Sequence, residues 1–191
     1  MARERVRDDY DLDWDGFSDA LRSTPPGNDG ALMFPWFAPE ITPPVDAPAA
    51  RRVELDVDDG PRNVRAVVEA QMMALANHSR WMGVDVDVIH ATGGGAANRE
   101  ILQVMADVFD AEVRRFASGN SACLGAALRA LHADRLADGR AAAWQEVVAG
   151  VAEPVAEGAV RPDPEAVSVY ARLRRRYAKL EPLAIVGCRR Q

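Results

Sequence analysis

Three consecutive glycines, Gly93, Gly94 and Gly95, stand between the apolar pair Val88-Ile89 and a segment that opens with Asn98 and Arg99. A strand that ends in such a turn and runs straight into a helix can aim free backbone N–H groups at a phosphate, with the helix dipole behind them. Glycine suits that place because a side chain would hold the ligand away from the backbone. Ala96 completes the turn, and Asn98 and Arg99, on the first helical turn, are the side chains able to reach a base edge or a phosphate. Each also has a plainer use, Asn98 as a helix cap and Arg99 as a solvated charge. Two named phosphate motifs do not fit. There is no GK[ST] anywhere, and the fingerprint GxGxxG meets Asn98 where its third glycine belongs. Spacing alone leaves two readings open: a tight turn that packs helix on strand, or a cradle for a ligand.

Other chemistry-bearing residues are scattered. Cys123 and Cys188 are too few for a disulfide framework and match no metal spacing, which points to a reducing compartment. His78, His90 and His132 are far apart and form no HExxH pair, so no residue is singled out as a metal ligand and none as catalytic. Asp107 reads as a partner for an arginine or a turn, Cys123 as a small buried apolar group, and Gly125 as a point of close helix packing. Trp14, Trp36, Trp81 and Trp144 read as core or contact residues, and the run Arg172–Arg176 as the solvated face of a helix.

The 191 residues suffice for one domain with a real core, and 48% hydrophobic with 27% charged residues is ordinary for a globular chain. A net charge of -6 argues against a protein that coats nucleic acid, and Lys179 is the only lysine. The start, "MARERVRDDYDLDW", has no apolar signal region, and no run approaches a membrane span. The expectation is a soluble, cytoplasmic protein that engages neither membrane nor nucleic acid.

Several elements must position the turn. Trp14, Phe17 and Leu21 predict a short helix with no obvious cap, followed by a Pro/Gly-rich loop over 25–50 that holds the apolar run "ALMFPWF". "RRVELDV" alternates and predicts a strand with Val53, Leu55 and Val57 on one side. Asp59-Gly60-Pro61 opens a long helix striped by Val64, Val67, Val68, Met72, Leu75 and Met82, with Gly83 as its stop. A βαβα unit follows over 84–137: the strand "VDVDVIHA", the glycines, a helix with Ile101, Leu102, Met105, Val108 and Phe109, the strand "AEVRRFA", and a helix capped by Ser121. "AAAWQEVVAG" predicts a short helix, "PVAEGAVRPDP" a connector, and 163–182 a last helix striped by Val167, Tyr170, Leu173, Tyr177 and Leu180.

The order of these segments carries a resemblance. "GGGAANREILQVMADVFDAEV" followed by "NSACLGAALRALHA" resembles the nucleotide-binding C-terminal lobe of the FGGY carbohydrate kinases, the xylulose kinases in particular. "ALMFPWFAPEITPP" is similar to that family's "FLPYLSGERTP" loop, with Glu40, Thr42 and Pro43 in place and Ile41 where arginine is common. "VRAVVEAQMMAL" resembles its "LARAVLEGVAYAL" helix, with Ala70 for a usual glycine, and the last helix resembles the closing one.

The resemblance implies an α/β fold: one partial domain over 1–191, part of an actin-like (ribonuclease H-like) ATPase lobe, helix-rich with a small mixed sheet. It implies a C-terminal fragment, with the sugar lobe, the catalytic aspartate and the phosphate loop supplied by a preceding part. It implies ATP and Mg²⁺ as cofactors, ATP or ADP bound by Gly93, Gly94, Gly95, Ala96, Asn98 and Arg99, and a sugar met only through the other lobe. Transfer of the γ-phosphoryl group of ATP to a sugar hydroxyl follows as the expected reaction, and the fragment alone is expected to be inactive. An apolar face left uncovered could be closed by a homodimer. Two other readings stand beside it: a non-catalytic nucleotide-binding or scaffold domain, and a nicotinamide-type dinucleotide module, against which the place of Glu112 at the start of the next strand counts.

Overall fold

The computed structural model describes residues 2–116, 120–140, 143–151, 155 and 158–188, the side chains of 187 and 188 excepted. Its centre is the long helix α3, Gly60–His78. The Asp59 side chain accepts from the Arg62 amide at 3.1 Å, and Pro61 sits in the first turn, where its missing N–H costs nothing. Every residue from Asn63 to Ala70 is buried, so the helix is enclosed on all sides rather than along one stripe. The helix stops at His78, earlier than expected, and a 3-10 turn Arg80–Met82 leads to Gly83 in the left-handed region at φ 64°. Leu75 and Met82 of the expected stripe are exposed.

Around α3 pack α1 (Ala2–Asp9), α2 (Trp14–Ser23), the strand β1 (Leu32–Phe34), α4 (Arg99–Phe109) and α7 (Pro164–Cys188). The Asp13 carboxylate caps α2, accepting from the Gly16 amide at 2.7 Å, a cap the sequence reading overlooked. β1 is fully buried and pairs antiparallel with β2 (Arg51–Val53), Leu32 opposite Val53. β2 is shorter than expected because Glu54 turns into the left-handed region at φ 54°, which ends the extended chain and leaves Val57 exposed.

The last helix, α7, carries buried Tyr170, Leu173 and Tyr177 against α3 and runs through Pro182 to Cys188, beyond its expected end. Its arginine run is only partly a solvated face. Arg172 and Arg175 are exposed, but Arg174 donates to the Val108 carbonyl at 3.0 Å and Arg176 to the Gly30 carbonyl at 2.6 Å. Between α3 and α7 lies a buried polar cluster. Glu69 Oε1 accepts from Tyr170 Oη at 2.8 Å, the Gly27 amide at 2.8 Å and Arg65 Nη1 at 3.3 Å. Arg65 also donates to Thr24 Oγ1 at 2.7 Å and to the Leu21 carbonyl.

The βαβα segment begins with β3 (Val88–Ala91), which starts four residues later than the alternation at Val84 suggests. It pairs in parallel with β4 (Glu112–Arg115), Val88 opposite Glu112. The strand content is thus small and of both senses, as expected, but divided between two two-stranded ladders. α4 joins the layers: Ile101, Val104 and Val108 enter the helical core, while Leu102 and Ala106 face a smaller core with Ala91, Val113 and Val160.

α5 (Ser121–Ala137) is capped by Asn120, one residue before the expected Ser121, through a 3.1 Å bond from the Cys123 amide. Leu128 is its one buried residue, Cys123 is exposed where a buried group was expected, and a side-chain carbon on Gly125 would meet nothing within 4 Å. α6 (Trp144–Val148) lays Trp144 on His132 with ring centroids 4.1 Å apart. Of the tryptophans only Trp36 is core; Trp14 and Trp144 are partly open and Trp81 fully so. Parts of the predicted connector (154, 156, 157) and of the predicted short helix (141, 142) lie outside the described residues. Among the described residues no helix is long and apolar enough to cross a membrane.

Candidate functional site

β3 ends at Ala91, and the chain turns at Gly93 with φ 80° and ψ -176°, a backbone state closed to residues with a side chain. The Ala96 amide then donates to the Gly93 carbonyl at 3.0 Å, closing the 3-10 turn Gly94–Ala97. Side-chain carbons built on Gly93 or Gly94 would meet nothing within 4 Å, so neither glycine is there for close packing. Gly95 differs: a carbon there would stand 2.8 Å from Nη1 of Arg3.

Asn98 ends the turn and caps α4. Its Oδ1 accepts from the amides of Glu100 at 3.0 Å and Ile101 at 3.2 Å, and its Nδ2 donates to Ser18 Oγ of α2 at 2.8 Å. Both ends of this side chain are engaged within the protein, which is the capping role rather than contact with a ligand. The first-turn amides that a phosphate would seek are taken by the same oxygen.

The turn forms one wall of a cleft of about 770 Å³, with the start of α1 and the outer face of α2 opposite. Of the six residues singled out by sequence, Gly94, Gly95, Asn98 and Arg99 line it. Gly93 is exposed and does not line it, and Ala96 is buried in the small core, where with Arg99 and Arg115 it borders a hollow of about 140 Å³. Trp14, Ser18 and Arg22 line the cleft from α2 at four-residue intervals. That period was legible in the sequence, but Phe17 and Leu21 drew the reading to the other face of the helix. Arg3 carried no sequence signal at all.

Charges in the cleft are mixed. Arg22 pairs with Asp19 and, at 3.3 Å, with Glu100, and these partners raise its pKa. Burial lowers that of Arg3. Glu40 and Asp107 lie elsewhere. Glu40 is exposed on the loop before β2, where its amide and carbonyl pair with those of Val45. Asp107 is buried, accepts from Gln103 Nε2 and from the Asp163 amide, both at 2.8 Å, and burial pushes its carboxyl upward. It fixes the turn that opens α7. Among the described residues no three His, Cys, Asp or Glu side chains gather closely enough to hold a metal.

The C-terminal domain of the FGGY family of carbohydrate kinases matches residues 2–133, from α1 through the glycine turn into α5. The chain belongs to this family. The FGGY domain is 41% identical to the xylulose kinase of Rattus norvegicus over 188 residues, covering 95% of this chain and 34% of that protein. It is 40% identical to the xylulose kinase of Mus musculus, covering 95% of this chain and 33% of that protein. The crystal structure of ligand-bound xylulose kinase from Lactobacillus acidophilus superimposes with a TM-score of 0.79 at 22% identity, over 96% of this chain and 38% of that one. The fold is therefore that of an actin-like sugar-kinase lobe. The FGGY domain described here spans about a third of the length of the curated relatives it matches.

Proposed function

We propose that this FGGY domain is the nucleoside-binding part of an ATP-dependent carbohydrate kinase of the xylulose kinase type. In that reaction the γ-phosphoryl group of ATP passes to a sugar hydroxyl, and the work of the protein is positioning and charge stabilisation. One observation carries the reading. Gly94 and Gly95 of the turn line a cleft of about 770 Å³, and the space above Gly94 is open to it. Such a wall lets the flat and sugar-like parts of a nucleoside approach the backbone closely.

The chain's own residues divide the task. The turn supplies the surface, Asn98 holds that surface against α2 through Ser18, and Arg99 stands exposed at the mouth. Mg²⁺ would come with the phosphates; the described residues offer no ligand set of their own, and no step is assigned to it. The identity with xylulose kinases over nearly the whole chain supports a pentulose as the class of acceptor.

The test is calorimetric titration of ATP and of ADP into the wild-type chain and a Gly94→Trp variant. Gly94 has no positive φ and its side-chain position is empty, so the variant folds and its indole fills the cleft. Affinity reduced at least tenfold by the indole supports the reading. Equal affinity in both proteins, or no binding by the wild type, sinks it.

A further inference from the structure

The first turn of α1 lies against the glycine turn, and Arg3 is the residue that meets it. A side-chain carbon on Gly95 would stand 2.8, 3.4 and 3.5 Å from Nη1, Nη2 and Cζ of Arg3, so the guanidinium turns its Nη edge, not a face, towards that carbon. Gly95 has no positive φ, so its backbone would accept any residue; the guanidinium above it is what leaves no room for one.

Arg3 is half-buried, and burial holds its pKa below the ordinary arginine value with no carboxylate acting against it. Among the described residues no hydrogen bond or ion pair reaches it. Its neighbours differ: Arg5 pairs with Asp9, Arg7 with Asp8, and Arg22 with Asp19 and Glu100. A cation taken out of water without a partner is costly, and it is kept where something else will cover it.

What would cover it follows from the rest of the cleft. Glu4, Asp15 and Glu100 line it alongside Arg3, Arg22 and Arg99, so no positive field gathers there to draw a phosphate. The α4 amides that could hold one are already taken by Asn98. A flat, neutral, electron-rich ring meets neither obstacle, and it can lie on the open side of a guanidinium. We propose that Arg3 is a specificity-determining residue that stacks on the nucleobase, with Gly95 leaving the room that the edge of its guanidinium occupies. This rests on the reading of the cleft as a nucleoside site and adds which part of the nucleotide Arg3 meets.

Adenosine and ADP are titrated separately into the wild type, Arg3→Ala and Arg3→Lys, with thermal melts to show that all three are folded. Removing the guanidinium is expected to weaken adenosine and ADP by the same factor, roughly 5- to 30-fold, with lysine restoring only a minor part because it keeps the charge but loses the plane. Unchanged affinities in Arg3→Ala overturn the stacking role and leave the nucleoside site standing. A loss for ADP without one for adenosine assigns Arg3 to phosphate and equally overturns it. A wild type that binds neither compound overturns both readings together.

Discussion

Replacing Tyr170 by Phe removes one hydroxyl from the centre of the protein, and the structure says what that should cost. Tyr170 is fully buried; its hydroxyl donates to Glu69 Oε1 at 2.8 Å and accepts from Arg65 Nη1 at 3.2 Å. Burial pushes the Glu69 carboxyl up to about 7, against the opposing pull of Arg65, the Tyr170 hydroxyl and the Gly27 amide. Its other oxygen, Oε2, is buried with no partner among the described residues. At pH 8 the ionised carboxylate would lose a charge-assisted bond, at about 1.5–3 kcal/mol. For a chain of this size that is roughly 3–12 °C in Tm. At pH 5 the carboxyl is protonated, the lost bond is between neutral groups, and the cost falls to about 1 kcal/mol. The wild type carries the same signature. Its folded-state pKa lies above the unfolded one, so between about 4.5 and 7 the native chain holds a proton that the unfolded chain has released. Stability from this group is therefore full below that window and falls as pH rises through it, by about 3 kcal/mol in all. Urea denaturation of both proteins at pH 5 and pH 8 reads the two effects at once. An equal penalty at the two pH values would falsify the assignment of Glu69 as a carboxyl that changes its proton within this range.

Asn98 separates capping from ligand contact. Asn98→Ala should destabilise the protein by about 1–2 kcal/mol, because two α4 amides and Ser18 lose their partner. Asn98→Asp keeps the capping oxygen and should recover most of that in a melt, while its added negative charge weakens ATP binding; if alanine leaves Tm untouched, the cap is not what holds α4. The chain alone, which spans about a third of the length of the xylulose kinases it matches, is also expected to show no xylulose-dependent turnover of ATP in a coupled assay. Measurable turnover that tracks the purified chain would overturn this.

Much of the fold was legible because local signals agreed with one another. Asp59, Pro61 and Gly83 punctuate the long central segment in the sequence much as they do in the structure. The periodicities of α4 and α7 name buried Ile101, Leu102, Val108, Tyr170, Leu173 and Tyr177, though Met105, Phe109, Val167 and Leu180 are only half-buried and buried Val104, Ala106 and Ala166 fall outside the stripes. What could not be read was set by tertiary contact. Enclosure of α3 on all sides depends on four other helices and a strand, and no stripe reveals it. β2 ends because Glu54 adopts a left-handed conformation that its residue type does not announce. The glycine turn was visible as a turn, yet the facing wall of the cleft comes from α1 and α2, some eighty residues earlier. Composition could place Cys123 among alanines but not say that its helix would bury Leu128 and little else.

The bonds that frame α4 also decide what a ligand could communicate. Asn98 ties one end of the helix to α2, and at the other end Asp107 accepts from the amide just before α7 while Arg174 of α7 grips the Val108 carbonyl. Signals need an element with two arrangements to choose between, and a girder fastened at both ends, to α2 and to α7, is poorly suited to that. The other wall of the cleft, the start of the short first helix with Arg3, lies outside that frame.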